Sequence, residues 1–330
     1  MTEAALTVTG LSQHFPMEQG ALDRLRRRPR PVLRAVDGVD LTVGRGETLG
    51  LVGESGCGKS TLGRCIVGLY EPTAGEVRFG NEVLDAKRTR EQRRHVQMIF
   101  QDPFSSLNPR MTVGQTLREL LRLHHLVPRA GVDARCRELM HLVGLPEHAL
   151  SSYPRQFSGG QRQRIGIARA LALEPQVLVA DEPVSALDVS VQANVLNLLS
   201  DLKTELGLSM LFVAHNMAVV RQVCDRVAVM YLGRIVETGV TGDVFTRPQH
   251  PYTRLLLASV PRMRPGHVAE QIAQGEPGSP IDLPRGCRFA SRCPLVFDRC
   301  LVEDPALTPA GRNGQQAACH LVGAQEAVRA

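Results

Sequence analysis

The sequence lacks any run approaching the roughly 20 apolar residues that cross a bilayer. Its opening, MTEAALTVTG, also lacks the apolar core of a secretory leader. Both absences predict a cytoplasmic chain that meets a membrane only through partners. No internal repeat is visible, so one copy of each motif below is all the chain offers. Charge of one sign is nearly absent as a theme. The 39 Lys and Arg against 33 Asp and Glu leave +6 and a pI near 9.1. That balance permits contact with nucleic acid or anionic lipid and identifies neither. The single dense run is RLRRRPR, with Arg24, Arg26, Arg27, Arg28 and Arg30. It reads as a solvated loop between two strands, with lipid headgroups or a partner subunit as the second reading. The eight cysteines, in a chain without a leader, argue against a disulfide framework.

What is present suits a globular chain with room for one large domain and a smaller one. The apolar runs Leu49–Val52, Val177–Ala180 and Met210–Ala214 are short, continuous and bounded by turns or charge. Such runs predict strands buried on both faces of a parallel sheet. Helical patterns separate them. Leu62, Cys65, Ile66 and Leu69 form one apolar face, and Val191, Val195, Leu198, Leu199, Leu202 and Leu206 form another. Strand–helix alternation gives an α/β core. The Pro-containing segment Phe100–Arg110 and the helix-like sequence to about Pro154 read as an inserted helical subdomain, about 101–165. From Thr246 onward Pro and Gly become frequent and periodicity fades. A boundary therefore falls near 245, giving 1–245 as the main domain and 246–330 as a linker with a small Cys-rich module.

Gly53-Glu54-Ser55-Gly56-Cys57-Gly58-Lys59-Ser60, followed by Thr61, fits the phosphate-loop pattern. A buried strand enters it and a helix leaves it. Glycines let backbone N–H groups turn toward phosphates, and the helix N-terminus adds positive potential. Lys59 can neutralise phosphate oxygens and Ser60 can ligate Mg²⁺. Cys57 reads as passive packing, although its modification would block nucleotide. The strand Val177–Ala180 runs into Asp181 and Glu182. At the mouth of a parallel sheet, one carboxylate can hold a metal shell and the next can polarise an attacking water.

Phe157-Ser158-Gly159-Gly160-Gln161-Arg162 resembles the signature sequence of ABC ATPases. The resemblance implies an ABC-type P-loop core hydrolysing ATP with Mg²⁺. It also carries roles to matching positions. Gln101 resembles the Q-loop glutamine that senses Mg²⁺, Asp188 in Ser185-Ala-Leu-Asp188 the D-loop, and His215 the switch histidine. Phe15 sits where an aromatic ring stacks on adenine. Ser60, Gln101 and Asp181 are the implied Mg²⁺ residues, and Glu182 the residue acting on water. Two departures are visible: Phe157 stands where Leu is usual, and Asn216 follows His215 where Asp is common. In this family the signature of one subunit closes over the phosphate loop of another, so a dimer is implied.

Within the family the chain is similar to ATPase subunits of dipeptide and oligopeptide importers. The stretches carrying that similarity are Phe100–Met111, His250-Pro-Tyr-Thr-Arg-Leu-Leu and the C-terminal cysteines. The Arg-rich insertion and Asn108-Pro-Arg-Met111 favour the second of two paralogous ATPases. The implied partners are that paralogue, two membrane permeases and an extracytoplasmic binding protein, with the chain on the cytoplasmic face of the membrane and no nucleic acid. Nickel or glycoside cargo, and a soluble non-transport ABC ATPase, are the rival readings. Cys287, Cys293, Cys300 and Cys319 are separated by five, six and eighteen residues. Structural zinc sites usually begin with tighter pairs. The resemblance implies a [4Fe–4S] cluster here; zinc and a plain reduced thiol cluster remain the alternatives.

Overall fold

The short apolar runs become neighbours in one sheet because each has hydrophobic residues on both faces. A computed structural model describes residues 3–19, 30–85, 87–102, 107–259 and 278–322. Arg24, Arg26, Arg27 and Arg28 lie outside the described residues, as does most of the Pro/Gly-rich stretch after Ser259. In chain order the strands are β1 (Ala4–Pro16), β2 (Val32–Gly44), β3 (Thr48–Val52), β4 (Ala74–Phe79), β5 (Glu82–Val83), β6 (Val96–Ile99), β7 (Val177–Asp181), β8 (Ser209–Ala214), β9 (Arg226–Tyr231), β10 (Arg234–Val240), β11 (Thr308–Pro309) and β12 (Gln316–Ala317). They form two sheets, β2-β1-β4-β5 and β11-β12-β10-β9-β3-β8-β7-β6.

The larger sheet is parallel from β9 to β6, through β3, β8 and β7. Alternate side chains of its central strands serve two core layers. Leu178, Ala180, Met210 and Phe212 join one cluster, and Val177, Val179, Leu211 and Val213 the other. All are essentially inaccessible, so every position contributes burial worth about 1.5–3 kcal/mol for the larger side chains. Three expected strands are therefore present within a residue of their predicted ends. The smaller sheet is antiparallel throughout.

The helix after the phosphate loop, α1, spans Lys59–Ile66 and buries Leu62, Cys65 and Ile66. Leu69, predicted on that face, lies beyond the helix end and is exposed, because the chain turns at Gly68 with φ +79°. Between β6 and β7 the described elements are helical: α2 (Val113–Leu123), α3 (Val132–Leu142) and α4 (Gly159–Leu171), with short 3₁₀ turns. Capping boxes at Thr112 and Ser158 start α2 and α4. Helix α5 (Val189–Leu206) buries Val195, Leu196, Leu199 and Leu202. The apolar face thus takes in Leu196 and releases Leu206, which is exposed at the last turn, where Gly207 caps the helix.

The C-terminal part does not hang free of the sheet. Helix α6 (Pro251–Ala258) packs below β9, with Tyr252 fully buried and its ring 4.6 Å from that of Tyr231. Strand β12 adds to β10 in antiparallel pairing, Glu237 opposite Ala317. A buried carboxylate organises this junction. Glu237 accepts from the Gln249 N–H, the His250 N–H and Gln315 Nε2 at 2.8, 2.9 and 2.7 Å.

Candidate functional site

At the C-terminal ends of β3 and β7 the loops gather the residues singled out by the sequence. Gly53–Gly58 leaves β3 and enters α1. Gly58 caps that helix with φ +109°, where a Cβ would collide with the Ala35 carbonyl oxygen, so only glycine fits. Lys59 is buried; its ammonium donates to the carbonyls of Gly53 and Glu54 at 2.8 and 2.9 Å. The same ammonium lies 3.8 Å from Cys57 Sγ, yet burial still pushes the Cys57 thiol pKa up. A thiol kept neutral and inaccessible fits the passive reading of Cys57.

Ser60 Oγ donates to Asp181 Oδ1 at 2.8 Å. Burial raises the Asp181 pKa, with Ser60 and the nearby Arg64 and Lys59 opposing that rise. A carboxylate in so dry a place favours a cation beside it, and a hydroxyl and carboxylate are the oxygen donors Mg²⁺ prefers. The pair fits the metal that nucleotide hydrolysis uses.

Glu182 is the convergence point. Gln101 Nε2 donates to Glu182 Oε2 at 3.1 Å, and His215 Nδ1 lies 3.0 Å from the same oxygen. Ser55, Gln101, Asp102, Ser185 and His215 line one open pocket with it. Glu182 also has φ +44°, a left-handed backbone that costs a non-glycine residue about 1–3 kcal/mol. Its N–H donates to the Val213 carbonyl at 3.0 Å, and Ser185 bonds its carbonyl through both N–H and Oγ. The turn is held by its neighbours and aims the carboxylate along the sheet's mouth. The sequence gives no sign of that conformation, since a carboxylate pair at a strand end is compatible with either hand of turn.

Ser158–Gln161 lies elsewhere. Ser158 Oγ accepts from the Gln161 N–H at 3.3 Å, and Gln161 Oε1 from the Ser158 N–H at 3.0 Å. Gly160 leaves room for Val191 of α5, so the start of α4 abuts the segment after Asp188. Asp188 itself is exposed at the N-cap of α5. Among the described residues no hydrogen bond joins Ser158–Gln161 to the phosphate loop. Phe157 packs against the core, and Asn216 caps the following helix by accepting from the Ala218 N–H at 2.9 Å. Both departures from the family pattern thus have local employment. Phe15 stands edge-on to Tyr70 at 5.6 Å and joins none of the contacts around Glu182.

The four C-terminal cysteines come to one small apolar pocket, with Phe289 and Leu295. Burial pushes the Cys287 thiol up to about 11, with the three other cysteines adding to the rise; burial likewise raises Cys293 and Cys319. In number and kind the thiols suit a cluster. Their arrangement does not: among the described residues no three His, Cys, Asp or Glu side chains converge as a metal-ligand set.

Residues of this C-terminal part to which the sequence assigns no site role reach Gly53–Gly58 and its surroundings. Arg292 donates from both Nη atoms to the Glu54 carboxylate, at 2.8 and 2.9 Å. Tyr252 Oη accepts from the Glu54 N–H at 2.8 Å. Arg288 bonds Asp37 and the Leu232 carbonyl. No pattern in the sequence signals these pairings.

The chain matches the ABC transporter family profile over residues 36–185 and the oligopeptide/dipeptide transporter C-terminal region over 236–300. It is 49% identical over 324 residues to a putative peptide import ATP-binding protein of Brucella ovis, covering 97% of this chain and 98% of that one. It is 48% identical to the oligopeptide transport ATP-binding protein OppF of Salmonella typhimurium, covering 93% and 94%. Among solved structures, cbiO1 of Clostridium perfringens, part of an ABC transporter complex, superposes with TM-score 0.62 at 27% identity, covering 74% of this chain and 92% of that one. A dimeric ABC cassette bound to ADP and Pi after hydrolysis matches with TM-score 0.62 at 27% identity, covering 72% and 98%. No helix among the described residues is long and apolar enough to cross a membrane.

Proposed function

Because the chain belongs to the ATP-binding proteins of ABC peptide transporters, we propose that it binds and hydrolyses ATP with Mg²⁺ to power the import of di- or oligopeptides. The observation carrying this reading is the convergence of Gln101 and His215 on the Glu182 carboxylate beside an intact phosphate loop. In the proposed division of labour, Gly53–Thr61 cradles the phosphates and Lys59 leaves its loop carbonyls to meet them. Ser60, Asp181 and Gln101 hold Mg²⁺, which would neutralise phosphate charge. Glu182 orients and polarises water, His215 contacts the γ-phosphate, and Phe15 stacks on adenine.

Ser158, Gly159, Gly160, Gln161 and Asp188 act across a dimer. Supporting this, the start of α4 is exposed while its own phosphate loop makes no bond to it. The partner is proposed to be a paralogous ATPase, with two permeases and an extracytoplasmic binding protein completing the importer at the cytoplasmic face of the membrane. The same proposal reads 1–245 as the ATPase domain, about 101–165 as the helical subdomain facing the permeases, and 246–330 as the Cys-rich extension. Cys287, Cys293, Cys300 and Cys319 are proposed to hold a [4Fe–4S] cluster, supported by their meeting in one pocket and opposed by the lack of a converged ligand set. No step of hydrolysis runs through it.

The test of the central reading is Glu182→Gln, which keeps size and removes the carboxylate. ATP binding should persist while hydrolysis falls about 10²- to 10⁴-fold. Hydrolysis within twofold of the parent protein removes Glu182 from the chemistry.

A further inference from the structure

A phosphate loop is an anion cradle, and this one carries an acid in its first turn. Glu54 follows Gly53 directly, so a carboxylate is carried on the loop read as the cradle of the triphosphate. Left alone, that charge would oppose nucleotide. It is not left alone. The Arg292 guanidinium grips it in the bidentate geometry that makes carboxylate pairs strong, with the Arg292 side chain only 7% exposed. The Glu54 backbone is fixed too, by the Tyr252 hydroxyl accepting its N–H at 2.8 Å.

Both partners come from the C-terminal part, 198 and 238 residues away. Tyr252 is itself fixed from behind: its N–H donates to His250 Nδ1 at 3.0 Å, and the His250 N–H is held by Glu237 at 2.9 Å. Burial drops the His250 pKa to about 3, so the ring stays a neutral acceptor for that bond. Arg292 stacks beside Phe289, 5.9 Å from its centroid, and directly precedes Cys293.

We propose that Arg292 and Tyr252 are positioning residues for the ATPase reaction, Arg292 neutralising and turning away the Glu54 carboxylate and Tyr252 fixing the loop backbone behind it. The assignment rests on reading Gly53–Thr61 as the nucleotide site. Both act through Glu54. Their contribution is to nucleotide affinity, with turnover at saturation left to Glu182 and its neighbours.

The test measures KM for ATP and kcat on the full chain, purified with its transporter subunits. Arg292→Ala should raise KM about 10-fold with kcat changed less than about 2-fold, since it leaves a partly exposed carboxylate unpaired on the loop that meets the phosphates. Adding Glu54→Gln to Arg292→Ala should recover most of that loss, which a merely structural role for Arg292 would not. Arg292→Lys, retaining the charge without the fork, should fall between. Tyr252→Phe keeps the ring and should raise KM about 3-fold through one unpaired N–H. Lys59→Ala is the control on the underlying site. If it leaves ATP binding intact, the nucleotide-site reading fails. If Lys59→Ala abolishes binding while Arg292→Ala leaves KM unchanged, or the double variant is no better than Arg292→Ala, the positioning proposal is overturned. Should Arg292→Ala fail to fold, Tyr252→Phe and Arg292→Lys decide alone: unchanged KM in both sinks the proposal.

Discussion

Replacing Glu237 with Gln removes one charge and no volume, yet it should be among the costliest single changes in the chain. The side chain is fully buried and is hydrogen-bonded by two backbone N–H groups and the Gln315 amide, with the Thr253 hydroxyl also against it. A carboxylate satisfies them all because it only accepts. An amide has one accepting end, so in either orientation its NH₂ faces at least one of those donors. With the amide oxygen toward Gln249 and Gln315, the His250 N–H loses its acceptor and faces the new NH₂, for which the Thr253 hydroxyl is the one neighbour that can accept. Each unpaired group costs about 1–3 kcal/mol. Relief comes from no longer burying an ionised group, since burial raises the Glu237 pKa against its donors. A net loss of about 2–4 kcal/mol follows, and the melting temperature should drop by roughly 5–10 °C. Far-UV circular dichroism serves as the assay, because the chain has no Trp to report by fluorescence. Glu303→Gln, at an exposed pair with Arg299, is the matched control and should be near neutral. A Glu237→Gln melting point within about 1 °C of the parent would refute the bookkeeping, meaning that the pocket rearranges or admits water.

Acid should expose a second buried pair. Burial would raise the Asp37 pKa, but Arg288, His14 and Arg234 outweigh it and hold the carboxyl below its ordinary 3.8. A depressed carboxyl lends stability above its unfolded pKa and loses it as pH falls through the folded one. Asp37→Asn should therefore be destabilised relative to the parent near neutral pH, with the gap closing as unfolding is followed from about pH 6 to about pH 3; a gap independent of pH contradicts the assignment. For the cysteine pocket, anaerobic purification followed by iron, zinc and acid-labile sulfide analysis should find about four iron atoms per chain, lost together when Cys293 is replaced by Ser. Zinc alone, or no metal with full stability, sets the cluster aside.

Local chemistry made much of this chain legible before any fold was known. The strands around Leu49, Val177 and Met210 stand where continuous apolar runs place them, because burial on both faces leaves no other pattern. The phosphate loop and Asp181–Glu182 were readable for the same reason: their chemistry demands residue types at fixed spacing. Helix ends were less legible. Leu69 and Leu206 fit an apolar period, but Leu69 falls beyond the turn at Gly68 and Leu206 is the last residue of its helix, exposed just before Gly207. Least visible were the contacts that cross the chain. Nothing periodic announces that Arg292 answers Glu54, that Arg288 answers Asp37, or that Gln315 completes the shell of Glu237. Each is a single polar residue whose partner lies more than 70 positions away. Even the reach of the cysteine-bearing tail into the main sheet was hidden, since β11 and β12 are two residues each.

Those two short strands have a use out of proportion to their length. Strand β10 would otherwise end the sheet with a row of unpaired N–H and C=O groups beside apolar Ile235 and Val236. Such an edge is a template on which a neighbouring chain can extend the sheet. By pairing Thr238 with Gln316 and Glu237 with Ala317, the tail occupies that edge with the protein's own residues. A chain shortened before residue 308 would carry a sticky seam, and its first defect should be self-association in solution rather than a lost reaction.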